Sequence, residues 1–176
     1  LLCAAWEGHQ EMVSALIAAG ADPRFADGKG FTALHLASLR GHAVKMDNRA
    51  IVRILIDAGA DLERPSQNCY TPLSVAARTN NTPVITTLVE AGANIEGKGK
   101  MTHTPLLFAA WSGNSSAVEE LLRRGANMRV SVIGTGDTAL HIAAGCLKVA
   151  VVEVLLRWGA DGGTVNMVGK TALDVV

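Results

Sequence analysis

Aromatic side chains are scarce in this chain: one tyrosine, three phenylalanines and three tryptophans among 176 residues, 4% of the whole. The 49% hydrophobic content is therefore mostly Ala, Leu, Val and Ile, residues that let helices pack closely, and a large aromatic-walled ligand pocket is not expected. Charge of one sign is missing as well. Sixteen basic and 16 acidic residues leave no formal net charge, so no long-range field draws nucleic acid or an anionic membrane surface. Cysteine occurs three times, at Cys3, Cys69 and Cys146. An odd count at wide, unpatterned spacing is neither a disulfide framework nor a metal cluster, and it points to a reducing, intracellular setting, cytoplasmic or nuclear. No apolar run approaches the roughly 18 residues that a membrane helix needs. The opening Leu1 to Trp6 lacks a signal peptide's basic region and long apolar stretch, so no membrane insertion is expected.

What the chain has instead is internal repetition. Gly-Ala-Asp/Asn recurs at Gly20, Gly59, Gly92, Gly125 and Gly159, in steps of 39, 33, 33 and 34 residues. A second motif follows each copy by 12 or 13 residues: Thr32-Ala33-Leu34-His35, Thr71-Pro72-Leu73-Ser74, Thr104-Pro105-Leu106-Leu107, Thr138-Ala139-Leu140-His141 and Thr171-Ala172-Leu173-Asp174. Before each Gly-Ala-Asp/Asn, apolar residues recur at i, i+1, i+4 and i+5, as in Val84, Ile85, Leu88 and Val89, which places them on one face of a helix. Pairs of small residues such as Ala76-Ala77 and Ala109-Ala110 mark a shorter helix after each Thr motif, small enough to set a close stacking distance. The step of 39 puts about six extra residues near Ala43 to Asn48 between the two helices of one repeat. The step of 34 adds one residue between Asn127 and Thr138. Both insertions fall in turns, where stacked repeats tolerate them.

The period and the motifs resemble the ankyrin repeat along all 176 residues. The resemblance implies an all-α helical solenoid, helix-turn-helix repeats joined by β-hairpin loops. Repeats fall at about 1–30 (partial), 31–69, 70–102, 103–136, 137–168 and 169–176 (partial). Threonine can cap the first helix, proline suits its first position, and glycine ends the second. Neither end carries a polar capping repeat of the kind end repeats need, so the chain reads as a segment of a longer protein.

Chemistry-bearing motifs are absorbed by the repeat. Gly134-Thr135-Gly136-Asp137-Thr138-Ala139 matches a dinucleotide-binding fingerprint after the strand-like Val130 to Ile133. Yet Gly136 aligns with Gly30 and Gly169 in the hairpins, and no parallel sheet is expected to hold a cofactor. His35 and His141 occupy the Thr-x-Leu-His position, where the resemblance implies a structural bond toward hairpin backbone. Neither has a second ligand at i+4. No catalytic constellation emerges, so an enzyme is not expected, nor a cofactor or metal.

The resemblance also implies a groove built from hairpin tips and the exposed side of the first helices, where a protein partner docks. The residue before each helix-start Thr is Phe31, Tyr70, His103, Asp137 and Lys170; the residue after each small pair is Trp6, Leu39, Arg78, Trp111 and Gly145. From these columns and the next residue we expect partner-binding side chains at Trp6, Phe31, Leu39, Arg40, Tyr70, Arg78, His103 and Trp111, since exposed aromatic and Arg residues are common interface anchors. Opposite charges in the column two residues past each Gly-Ala-Asp/Asn suggest ladders of Arg24 with Glu63 and Glu96 with Arg129. The expected function is a scaffold or adaptor module binding another protein; the alternative is a rigid spacer or targeting arm of a larger multidomain protein.

Overall fold

A computed structural model describes residues 1–39, 48–97 and 103–175. Among the described residues there are ten helices and no strands: α1 (Leu2–Glu7), α2 (Gln10–Ala18), α3 (Ala33–Leu39), α4 (Asn48–Asp57), α5 (Pro72–Arg78), α6 (Thr82–Glu90), α7 (Pro105–Ser112), α8 (Ser115–Arg123), α9 (Ala139–Gly145) and α10 (Val149–Arg157). They stack in two layers. The odd-numbered helices each contact the next odd one, the even-numbered helices do the same, and the two helices of a repeat pack against each other.

The sequence pattern explains this. Alanines 76, 77, 109, 110 and 143 are fully buried in the first-helix layer, where a bulkier side chain would push neighbouring repeats apart. In the second-helix layer Ile51, Val52, Leu55, Val84, Ile85, Leu88, Val118 and Leu121 are buried. At the outermost repeats the same apolar positions reach the surface, with Met12 55% and Leu156 50% exposed. Thr71 and Thr104 cap α5 and α7 by accepting the backbone N–H of Ser74 and Leu107, each with proline at the start of the helix. The second helices end on glycine in the left-handed region, as at Gly92 (φ 93°). Among the described residues the loops pair at single bridges, Ala26 with Thr32 and Ser131 with Thr138.

Three expectations change. Asn48 lies inside α4 and is buried, its amide donating to the Ala37 carbonyl at 3.1 Å; it belongs to the repeat and not to the insertion, the rest of which lies outside the described residues. Its counterparts Asn81 and Asn114 do the same work: the Asn114 amide donates to the carbonyls of Ala77 (3.0 Å) and Arg78 (2.8 Å), and that of Asn81 reaches the Ser38 carbonyl at 3.5 Å. Asn81 and Asn114 thus satisfy open carbonyls at the end of the preceding repeat's first helix, whereas Asn48 bonds the first helix of its own repeat. The charge ladders do not form either. Glu63 and Glu96 turn their carboxylates to the backbone N–H of Asn94 and Asn127 in the next repeat, and Arg24 donates to the Gly59 carbonyl at 3.1 Å. A backbone donor fixed by the neighbouring turn is a better partner than a mobile arginine.

The joints between the two helices of a repeat need a left-handed residue. Gly8 and Gly113 supply it without strain, and Asn80 (φ 58°) is a tolerated substitute. At the corresponding joint after α9 it is Leu147, with φ 55° and 71% exposed.

Candidate functional site

Each histidine of the Thr-x-Leu-His motif straps its repeat to the next hairpin. His35 Nε2 lies 2.9 Å from the Tyr70 carbonyl and Nδ1 2.9 Å from the Thr32 hydroxyl; His141 Nε2 lies 3.0 Å from the Lys170 carbonyl and Nδ1 2.9 Å from Thr138 Oγ1. A carbonyl can only accept, so Nε2 carries the proton in both rings and Nδ1 accepts. Burial lowers the His35 pKa below its ordinary value, opposed by the Tyr70 carbonyl. With both ring nitrogens engaged, His141 has none left to serve Cys146 as a base. Among the described residues no group of three or more His, Cys, Asp or Glu could hold a metal ion.

The glycine-rich hairpin is explained by packing. A Cβ on Gly136 would lie 2.8 Å from the Met167 nitrogen, and the Met167 N–H donates to the Thr135 carbonyl at 2.9 Å. Gly30 repeats the arrangement: a Cβ there would meet the Gln67 nitrogen at 2.9 Å, and Gln67 N–H donates to Lys29 at 2.9 Å. These glycines let successive hairpins touch, which leaves no phosphate cradle.

The expected binding residues separate into groups. Tyr70, His103 and Trp111 line one groove of about 650 Å³ with Phe108, Asp137 and Ile142. Phe108 is its floor: only 6% exposed, its ring sits 5.1 Å from Tyr70 and 5.5 Å from His103. Trp111, one helical turn further on, is 54% exposed. Arg78 does not line the groove; its guanidinium stacks over the Tyr70 ring at 5.0 Å, with Nε buried and without a hydrogen-bond partner, so it braces the tyrosine. Phe31 packs against His35, ring centres 5.3 Å apart, and is half-buried, as is Leu39. Trp6 is 40% exposed on α1, away from the groove. Arg40 lies outside the described residues.

A scarcity of aromatics did not preclude an aromatic-walled groove. Repetition places side chains from consecutive repeats side by side, so a few rings 33 or more residues apart share one wall. Phe108 was missed because it follows Leu106 and Leu107 and reads as ordinary core; the signal was its place three residues before Trp111 on the same helix.

On the opposite side, in the second-helix layer, Glu120 is 9% exposed and accepts from the Thr86 hydroxyl (2.8 Å) and from Arg124 Nε (2.9 Å), with Arg123 on its other oxygen. Arg124 also bonds Glu90 of the preceding repeat at 3.1 Å. Burial pushes the Glu120 carboxyl up, but the hydrogen bonds from Thr86 and Arg124 and the two arginine charges outweigh it and hold it below the usual range.

The comparisons agree with this architecture. A family model described as ankyrin repeats (3 copies) matches residues 1–99, 41–132 and 106–175. A Danio rerio protein named as palmitoyltransferase ZDHHC13 is 40% identical over 72 residues, 41% of this chain and 10% of that protein. The Escherichia coli K12 ankyrin repeat protein YahD is 36% identical over 75 residues, 43% of this chain and 34% of that protein. The chain therefore matches a tenth and about a third of the length of these two relatives. Among the described residues no helix is long and apolar enough to cross a membrane.

Proposed function

We propose that this chain, which belongs to the ankyrin repeat family, is a scaffold or adaptor module that docks a partner protein in the groove of Tyr70, His103, Phe108 and Trp111. Repeats of this family are in general protein-interaction modules, and catalysis is not their usual role. The observation that carries the reading is Trp111: a tryptophan left 54% exposed on the wall of a groove it shares with Tyr70, Phe108 and Ile142. Tryptophan, a large ring held here on a rigid helix, is among the residue types enriched at the energetic hot spots of protein interfaces. The half-buried rings beside it are held by core and brace contacts, so the surface is formed before a partner arrives.

The spacer reading keeps support from one fact, the 10% share of the palmitoyltransferase relative that this chain matches. A short array within a long protein can serve as an arm. Affinity capture separates the two. Proteins retained by the wild-type chain and by Met12→Ala, but lost from Trp111→Ala at an unchanged melting temperature, support groove docking. Identical retention by all three chains rejects it.

A further inference from the structure

We infer that the groove takes a cationic side chain, a lysine or arginine on an extended segment of the partner protein, with Asp137 as its counter-charge. This rests on the groove being the docking surface and adds the chemistry of what enters it. Among the described residues that line it, Asp137 is the one carboxylate, and no lysine or arginine accompanies it. Asp137 is half-buried; its carboxylate accepts from the Asn166 amide at 2.7 Å, a neutral donor that fixes its position and leaves its charge intact. Among the described residues no ion pair involves it. In a neutral chain where Glu90, Glu119 and Glu120 all have arginine partners, this carboxylate stands open beside aromatic walls.

Those surroundings select among occupants. An apolar side chain seated there would strip water from Asp137 and leave a charge without a partner, which is costly. An acidic one would be repelled. A lysine or arginine can lay its aliphatic stem along Phe108 and Ile142, set its charge toward the free face of the Trp111 ring and pair with Asp137. The low-dielectric walls make that attraction stronger than it would be in open water. Tyr70 already has one cation over its ring, Arg78, so Trp111 is the ring left for the incoming one. The lining comes from the loops and first helices of three consecutive repeats, at Asn68 and Tyr70, at His103 and Trp111, and at Thr135 to Ile142. A course of that length suits an extended chain.

Fluorescein-labelled peptide pools test this, with a fixed central Lys, Arg, Leu or Glu and the flanking positions randomised over uncharged residues, followed by anisotropy. The Lys and Arg pools should bind about five- to tenfold tighter than the Leu and Glu pools, the size of one cation–π contact with a partly buried counter-charge, and their binding should weaken as salt rises. Asp137→Asn keeps the acceptor for Asn166, so the fold should hold, while Lys and Arg binding falls to the Leu level. Trp111→Ala should weaken every pool that binds. Leu pools binding as well as Lys pools, indifference to Asp137→Asn, or binding without salt dependence would overturn the cationic occupant and leave groove docking standing. Absence of any binding that depends on Trp111 would overturn both.

Discussion

The two layers of the array use charge in opposite ways. In the second-helix layer Glu90, Glu120, Arg123 and Arg124 neutralise one another across two repeats, with Thr86 completing the set. On the groove side the Asp137 carboxylate shares the lining with Tyr70, Phe108 and Trp111 and, among the described residues, accepts from a neutral amide, that of Asn166. The four charges of that set have one another as partners, whereas the groove side leaves Trp111 exposed and the Asp137 carboxylate without an ion pair among the described residues. Both belong to a chain of zero formal net charge, so composition alone hides the asymmetry. What separates a structural layer from a recognition layer here is whether its polar and aromatic groups have already found partners.

Mutations in the two layers should therefore differ in kind. Leu121→Ala, at a fully buried position of α8, should cost about 2–5 kcal/mol by emptying packed space, whereas Trp111→Ala should cost less than about 1 kcal/mol. Chemical denaturation of both variants checks this, and equal losses would erase the distinction between layers. Next in size is Arg124→Ala, expected to lower the melting temperature by less than Leu121→Ala does, because it leaves a Glu120 oxygen with one donor fewer. Because Glu120 titrates below its ordinary value of 4.5, the unfolded chain binds more protons than the folded one in that range. Its stabilisation is present above about pH 4.5 and is lost as pH falls below it. Melting curves between about pH 3 and about pH 7 should show a shallower acid limb in Arg124→Ala than in wild type; parallel limbs would dissolve the network's role. The smallest effect concerns the joint between layers. Leu147→Gly should raise stability by about 0.5–1 kcal/mol, since glycine adopts the left-handed conformation that strains leucine, and an unchanged or lower melting temperature would show that the exposed leucine has a packing role.

The fold was legible because two motifs recur in phase, and phase is a property of sequence alone. The groove was legible only in outline. Tyr70, His103 and Trp111 could be found by reading columns, but Trp6 shares a column with Trp111 and ends up far from the groove, since a column gives the height on a repeat and not which neighbours stand beside it. Glu63 and Glu96 misled for a different reason. Pairing by charge assumes side-chain partners, and both carboxylates chose backbone N–H groups, which carry no letter in the sequence. The asparagines at 48, 81 and 114 stand at intervals of 33 and were overlooked for the same reason: their partners are the carbonyls of Ala37, Ser38, Ala77 and Arg78.

Asn81 and Asn114 also set how the array comes apart. A helix end whose carbonyls are satisfied by the following repeat cannot be released from that repeat without exposing unpaired polar groups, so melting one unit penalises its neighbour. This is the nearest-neighbour term that makes a linear stack unfold as a block. The column continues to Lys148, which rests its aliphatic stem near Gly113 and donates no side-chain hydrogen bond to the carbonyls at the end of α7 among the described residues. Cooperativity should thus be strongest from α3 to α8 and step down at α9, where the chain can fray one unit at a time.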